Sequence, residues 1–567
     1  MKPKKTHPKE STTKSESPTD FLTAMTETVA GFSRLALQNL TQFQHSLLNA
    51  QEKLQSTSSQ DILAATKTLT DKRFRHPDWE NNAFFAAVKQ AYLLTRQITE
   101  EAANKMLATQ TAGNQKLSEQ LHYYLNFWLD ALAPTNFAPT NPEVLQNLLQ
   151  SSGETLVKGY QNWIEDISQG KNIFTPRMID EAAFKVGKNV ALTPGNVIFQ
   201  NEIMQLIQYT PTTKTIYERP LLIIPPWINK YYILDLQAHN SMVKYFVDQG
   251  YLVFMVSWVN PASKEQCAKT FADYLQEGAL AAIKTIRQIT RDKQVNVMGY
   301  CVGGALLACA QAYLSAKGDD SIATGTYLTT LLDFTDAGIL GNLLDENSLK
   351  FFETFIQDKG YLSGHVMAGI FNSLRANDLI WPAYIRSYLK GEAPASLDLL
   401  YWNADATNIP APVHSFYLRE MYLNNKLMQG SLKLLNTTLD LSRIDTPTYF
   451  LAAREDHIVP WTGAYKSFRL LKNKNNRFVL TGSGHVAGVI NPAHSDKYGY
   501  WTYTGKPMKA EQWFNRAIQE PGSWWKDWEA WLSYLSGKKL PVKQALKKSL
   551  PEIETAPGNY VKLKNLY

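Results

Sequence analysis

Cys301 stands in the run Gly299-Tyr300-Cys301-Val302-Gly303-Gly304, with a glycine two residues to either side. A thiol so placed can serve as a nucleophile that forms and breaks a bond to an acyl carbon. The apolar run Val295-Asn296-Val297-Met298 before it reads as a short buried strand, and the small-residue run Ala305–Ala310 after it reads as a helix. Strand, sharp turn and helix make a nucleophile elbow, which holds one side chain clear of the carboxyl edge of a sheet. The turn is crowded, so positions two residues away must be nearly free of side chain, as Gly299 and Gly303 are. A buried structural cysteine beside a glycine-rich turn has the same local sequence. Its partners decide between the two.

A thiol nucleophile needs a base, and the base needs an acid to orient it. In elbow-type hydrolases these follow one another as nucleophile, acid, base. Asp456, in Arg454-Glu455-Asp456-His457, follows the apolar run Thr448–Ala453, and His485, in Gly482-Ser483-Gly484-His485, follows Arg477–Leu480. They are 29 residues apart, room for one helix and one strand, which puts both on neighbouring strand ends. Asp333 also ends an apolar run, but reads better as a structural or cap-anchoring carboxylate. His494 lies past Asn491-Pro492, away from a strand end. The glycines of Gly482–Gly488 are spaced one residue too widely for a dinucleotide loop, and Pro492 interrupts the helix that should follow.

An oxyanion hole takes backbone N–H donors. Val302, next to the nucleophile, supplies one. The second is expected from Pro225-Pro226-Trp227-Ile228-Asn229-Lys230, where neither proline has an N–H, so Trp227 or Ile228 donates and Ile228 is favoured. Cysteine in place of serine suits exchange between thioesters, which tilts the chemistry from hydrolysis towards acyl transfer. Side chains alone carry this chemistry, and neither cofactor nor metal is expected.

Such loops need a scaffold. From about residue 195, strand candidates (Pro220–Ile224, Tyr251–Trp258, Val295–Met298, Gly325–Leu332, Thr448–Ala453, Arg477–Leu480) alternate with helical patterns such as Tyr274–Arg291 and Ala305–Leu314. This implies a largely parallel sheet covered on both faces, an α/β-hydrolase fold with its site off the carboxyl strand ends. Residues from about 334 to 442, rich in aromatics, Asn and Asp, are too long for a connection and read as a cap. The expected division is a disordered tail over 1–20, a mostly helical amino-terminal domain over 21–194 (Phe21–Gln51, Ala83–Ala102, Leu117–Asp130) and a catalytic domain over 195–567. Trp524, Trp528 and Trp531 share one helical face and read as packing.

Composition fits this reading. The 567 residues are 44% hydrophobic and 19% charged, as in a soluble globular protein. Three cysteines cannot build a disulfide framework, so a cytoplasmic location is expected. The basic, polar first 20 residues lack the apolar core of a secretory signal, and no stretch is apolar enough to span a membrane. A net charge of +7 is spread along the chain without a nucleic-acid-binding motif.

Taken together, the blocks resemble the class I polyhydroxyalkanoate synthases. The Gly299–Gly304 run is similar to that family's lipase-like box. Pro225–Leu236, Arg454–Trp461, Ser483–Pro492, Asn377–Trp381, Tyr401–Asn408, Asp71–Phe74 with Pro77–Trp79, and Ala556–Lys562 also match, in order, over most of the chain. One departure is Ala262-Ser263 after Trp258-Val259-Asn260-Pro261, where the family commonly has Asp; it touches none of the triad. The resemblance implies polymerisation of (R)-3-hydroxyacyl-CoA, with short acyl chains, into polyester with release of CoA. Cys301 would hold the chain, and His485 would deprotonate Cys301 and help activate the 3-hydroxyl. Asp456 would orient His485 or activate that hydroxyl directly. It further implies a homodimer at the surface of polymer granules, attached with help from the amino-terminal region. An esterase or depolymerase on the same scaffold, and a granule-coating protein without activity, are the competing expectations.

Overall fold

The computed structural model describes residues 71–110, 115–171, 175–505 and 508–564; the tail over 1–20 and the helix expected over 21–51 lie outside the described residues. After a short helix at Asp78–Asn81 come two long helices, α1 (Ala83–Gln110) and α2 (Gln115–Ala131). Both run slightly beyond the stretches that periodicity suggests.

Eleven strands then form one sheet. They are β1 (Gly195–Gln200), β2 (Met204–Tyr209), β3 (Leu221–Ile224), β4 (Val253–Trp258), β5 (Val295–Tyr300), β6 (Ile322–Leu328), β7 (Thr448–Ala453), β8 (Arg477–Thr481), β9 (Tyr500–Thr502), β10 (Ile518–Glu520) and β11 (Glu554–Thr555). Their spatial order is β10-β9-β8-β7-β6-β5-β3-β4-β2-β1-β11. From β4 through β3, β5, β6 and β7 to β8 all neighbours are parallel. The strands at both margins are antiparallel. β3, β4, β5 and β7 are buried along their whole length, which is why they read as continuous apolar runs.

The helix after β5, α3 (Val302–Ala316), is buried along most of its length between sheet and cap, so its small apolar residues carry little amphipathic pattern. The helix after β7 is α4 (Trp461–Phe468). Near the carboxyl end, α5 (Trp525–Leu535) packs on the opposite face. The expected tryptophan stripe packs as a face: Trp524 and Trp528 are fully buried and Trp531 packs partly buried against Tyr449, with Trp525 buried beside them. The indoles of Trp524 and Trp525 donate to the carbonyls of Gly488 and Val489, tying α5 to the loop after β8.

Between β6 and β7 the chain leaves the sheet and builds the cap from short helices, among them Gly338–Leu343, Glu346–Gln357, Gly364–Ser373 and Ala411–Phe416. The amino-terminal helices dock on this cap. The helix Glu154–Ser168 approaches Ile385–Leu389 so closely that a Cβ at Gly159 would lie 2.0 Å from the Tyr388 carbonyl oxygen, and the Tyr388 hydroxyl donates to Asp166 at 2.7 Å. Amino-terminal segment and cap therefore roof the carboxyl edge of the sheet together.

Candidate active site

β5 ends at Tyr300 and α3 begins at Val302. Cys301 makes the whole turn, with φ 53° and ψ −121°, a strained conformation that the surroundings hold in place. Its N–H donates to the Leu328 carbonyl at 2.9 Å, and its carbonyl accepts from the Thr330 hydroxyl at 3.2 Å. The glycine spacing now has measured causes. A Cβ at Gly299 would stand 2.5 Å from the Gly304 Cα, and one at Gly303 would stand 2.2 Å from the Ile224 carbonyl oxygen.

β7 and β8 are adjacent and parallel, so the loops after them meet. His485 Nδ1 and Asp456 Oδ2 are 2.7 Å apart, with the Asp456 side chain fully shielded. Asp456 Oδ1 accepts from the N–H groups of Ile458 and Val459 at 2.8 and 2.9 Å. The carboxylate is thus held on one oxygen and engages the imidazole with the other. Burial alone would push the His485 pKa down. The neighbouring Asp456 carboxylate and Cys301 sulfur outweigh it and raise the pKa from 6.5 to about 10. The Tyr300 hydroxyl donates to the His485 carbonyl at 3.2 Å and the two rings stack, fixing the imidazole plane. Two other histidines go the opposite way: burial pushes both His414 and His457 down to about 4.

The rival acid has other work. Asp333 accepts from Asn425 Nδ2 and from the Thr335 N–H, each at 2.9 Å, so it anchors the cap. The structure brings Cys301, Asp456 and His485 together, and places Val302 and Ile228 with Cys301 on the wall of a cavity of about 1000 Å³. Val302 lies in the first turn of α3, where N–H groups have no partner inside the helix. Among the described residues, no group of three His, Cys, Asp or Glu side chains could hold a metal ion.

Two features escaped the sequence. The loop carrying Ile228 is strapped to the cap: Thr407 donates its N–H to the Ile228 carbonyl at 3.0 Å and its hydroxyl to the Trp227 carbonyl. Beside it Lys230 Nζ pairs with Asp405 Oδ1 at 2.7 Å, both nearly inaccessible, and the Tyr232 hydroxyl donates to the same carboxylate. Partners 175 positions apart give no local signal. The second feature is the role of α2, an expected helix that contributes Leu117, Gln120, Tyr124 and Phe127 to the cavity that Cys301 faces; their spacing of three and four residues is the only sign of that role.

The parallel centre and antiparallel margins of the sheet are those of an α/β-hydrolase fold, and residues 219–492 match the alpha/beta hydrolase fold family. Residues 70–246 match the family described as "Poly-beta-hydroxybutyrate polymerase (PhaC) N-terminus". The chain is 45% identical over 498 residues to the poly(3-hydroxyalkanoate) polymerase of Methylorubrum extorquens, covering 87% of this chain and 81% of that one. It is 44% identical over 507 residues to the poly(3-hydroxyalkanoate) polymerase subunit PhaC of Cupriavidus necator, covering 88% and 84%. The chain belongs to the polyhydroxyalkanoate synthase family of enzymes. Among the described residues, no helix is long and apolar enough to cross a membrane.

Proposed function

We propose that this protein polymerises short-chain (R)-3-hydroxyacyl-CoA, 3-hydroxybutyryl-CoA first among them, into polyester with release of CoA. The observation that carries the reading is a thiol on an elbow beside a carboxylate-held imidazole, opening on a large apolar cavity. The Cys301 thiol gives its proton to His485 Nε2 and its sulfur attacks the thioester carbon. The oxyanion that forms is met by the N–H groups of Val302 and Ile228. The carbon–sulfur bond to CoA breaks, CoA leaves as a thiol with the proton from His485, and the acyl group stays on Cys301. His485 next takes the proton of the 3-hydroxyl of a second hydroxyacyl-CoA, whose oxygen attacks the acyl carbon held on Cys301. The carbon–sulfur bond to Cys301 breaks, the Cys301 sulfur takes the proton back from His485, and the joined units stay on CoA, ready to be loaded onto Cys301 again.

The bonding of Asp456 favours the orienting role. Both its oxygens are occupied, and its side chain is sealed from the cavity, so it has little freedom to reach a substrate hydroxyl. Work at the granule surface, as part of a homodimer, completes the reading. It is supported by the helix Glu154–Ser168, which exposes Leu156, Val157, Tyr160, Ile164 and Ile167.

Purified protein with 3-hydroxybutyryl-CoA should release CoA and leave insoluble polymer. Free 3-hydroxybutyrate as the sole acyl product would decide for an esterase, and undiminished CoA release by Cys301→Ala would remove the mechanism.

A further inference from the structure

α2 supplies no group to the chemistry, yet it closes the cavity on the side away from the sheet. Leu117, Gln120, Tyr124 and Phe127 recur every three or four residues and so share one face, and that face lines the same cavity as Cys301, Val302 and Ile228. The helix is pinned in this pose along both flanks. Gln120 Nε2 donates to the Asn342 carbonyl at 2.7 Å, and Lys116 Nζ donates to the Leu344 carbonyl. Glu119 accepts from Asn342 Nδ2, and the hydroxyls of Tyr123 and Ser373 are 3.1 Å apart. At its end, Phe127 packs with Ala376, Ile380 and Trp381. Polar anchors on the cap orient a mostly apolar face inward.

The volume says what such a wall is for. About 1000 Å³ equals roughly thirty water volumes at ~30 Å³ each. A hydroxybutyryl repeat has roughly six non-hydrogen atoms, so this space holds several repeats, or one long acyl chain. A single short acyl group on Cys301 would leave most of it empty. The lining offers few polar groups to grip a chain, so the position of the walls decides what fits.

We propose that the inner face of α2 is the length gauge of the site: Leu117 and Tyr124 set how long an acyl or oligoester chain on the Cys301 sulfur can extend before it meets a wall. The amino-terminal segment is then a specificity determinant of the catalytic cavity. Only the identity of the natural chain rests on the polymerase reading; the gauge itself rests on the cavity.

Alkyl methanethiosulfonates test it without requiring turnover, because they place a methyl, butyl or octyl chain on a thiol as a disulfide. Peptide mass spectrometry separates Cys301 from Cys267 and Cys309, both buried. Leu117→Trp should slow octyl transfer to Cys301 at least tenfold while leaving methyl transfer within twofold. Tyr124→Ala should speed octyl transfer, also with methyl transfer unchanged. Equal factors for both reagents in either variant, or no change in both variants, would overturn the gauge. Should Leu117→Trp fail to fold, the octyl-to-methyl ratio of Tyr124→Ala still decides. CoA release from 3-hydroxyoctanoyl-CoA relative to 3-hydroxybutyryl-CoA should move in the same directions. If the wild type releases CoA from neither, the polymerase reading falls while the labelling ratios still judge α2.

Discussion

Asp456→Asn separates the two roles open to the acid. The amide oxygen can keep the bonds from the Ile458 and Val459 N–H groups, so the loop should stay in place. What changes is the atom facing His485 Nδ1, where an amine replaces an acceptor 2.7 Å away. The ring is then driven to the tautomer with its proton on Nε2, which cannot accept a proton from Cys301. The charge is lost as well. Burial opposes the imidazolium, yet the His485 pKa stands at about 10 against an ordinary 6.5, a net preference of about 5 kcal/mol. Asp456 makes the largest favourable contribution. Removing half of the preference, about 2–3 kcal/mol, slows a step through that ion pair by about 100-fold at ~1.4 kcal/mol per decade. The wrong tautomer takes the loss towards 10⁴-fold, the factor seen when a serine-protease aspartate is changed in the same way. The assay is single-turnover CoA release with the Cys301 adduct followed by mass spectrometry. Acylation and elongation should both fall by 10² to 10⁴, with the melting temperature little changed. Acylation at the wild-type rate with elongation alone impaired would refute the orienting role and favour direct activation of the hydroxyl by Asp456.

Three further outcomes follow from the same geometry. Gly303→Ala drives a Cβ to 2.2 Å from the Ile224 carbonyl oxygen and 2.8 Å from that of Pro225; neither backbone can yield cheaply, so chemical denaturation should show a loss of about 1–3 kcal/mol or more and activity should fall at least 100-fold. Asp405→Ala strands Lys230 in a site where burial already pushes the amine pKa down; breaking such a pair costs about 3–5 kcal/mol, and the cap-strapped Ile228 loop should lose kcat more than KM. His485 has a raised folded-state pKa, so its contribution to stability is full below the unfolded value of 6.5 and disappears as pH rises through about 10. The stability gap between wild type and His485→Gln should accordingly be widest near pH 6 and close above pH 10, and a gap that widens with rising pH would contradict the assigned shift.

Local signals made the centre of the site legible. The glycines around Cys301 follow from the crowding of one sharp turn, and β5 and β7 are buried throughout and β8 in all but its first residue, so their apolar runs mark the strand ends where Cys301, Asp456 and His485 sit. The antiparallel margin was harder. β1 and β2 form a hairpin whose polar and apolar residues do not alternate cleanly, because the register shifts between Val197 and Phe199, so neither carries a strand signal of its own. β6 begins at Ile322 and ends at Leu328, earlier than its apolar sequence suggests, since Thr329 turns the chain with φ 42°. The strap between the Ile228 loop and residues 405–407 is purely tertiary. The helix α2 is legible from its periodicity, but its place on the cavity wall is not, because Leu, Tyr and Phe carry no catalytic signal.

The central claim is that the acyl chain rides on Cys301. Rapid quenching of the enzyme with 3-hydroxybutyryl-CoA, followed by peptide mass spectrometry, reads that bond directly. The account predicts a hydroxybutyryl or oligohydroxybutyryl mass on the peptide containing Cys301, formed as CoA is released and absent from Cys301→Ala. CoA release at the wild-type rate with Cys301 unmodified throughout would contradict it.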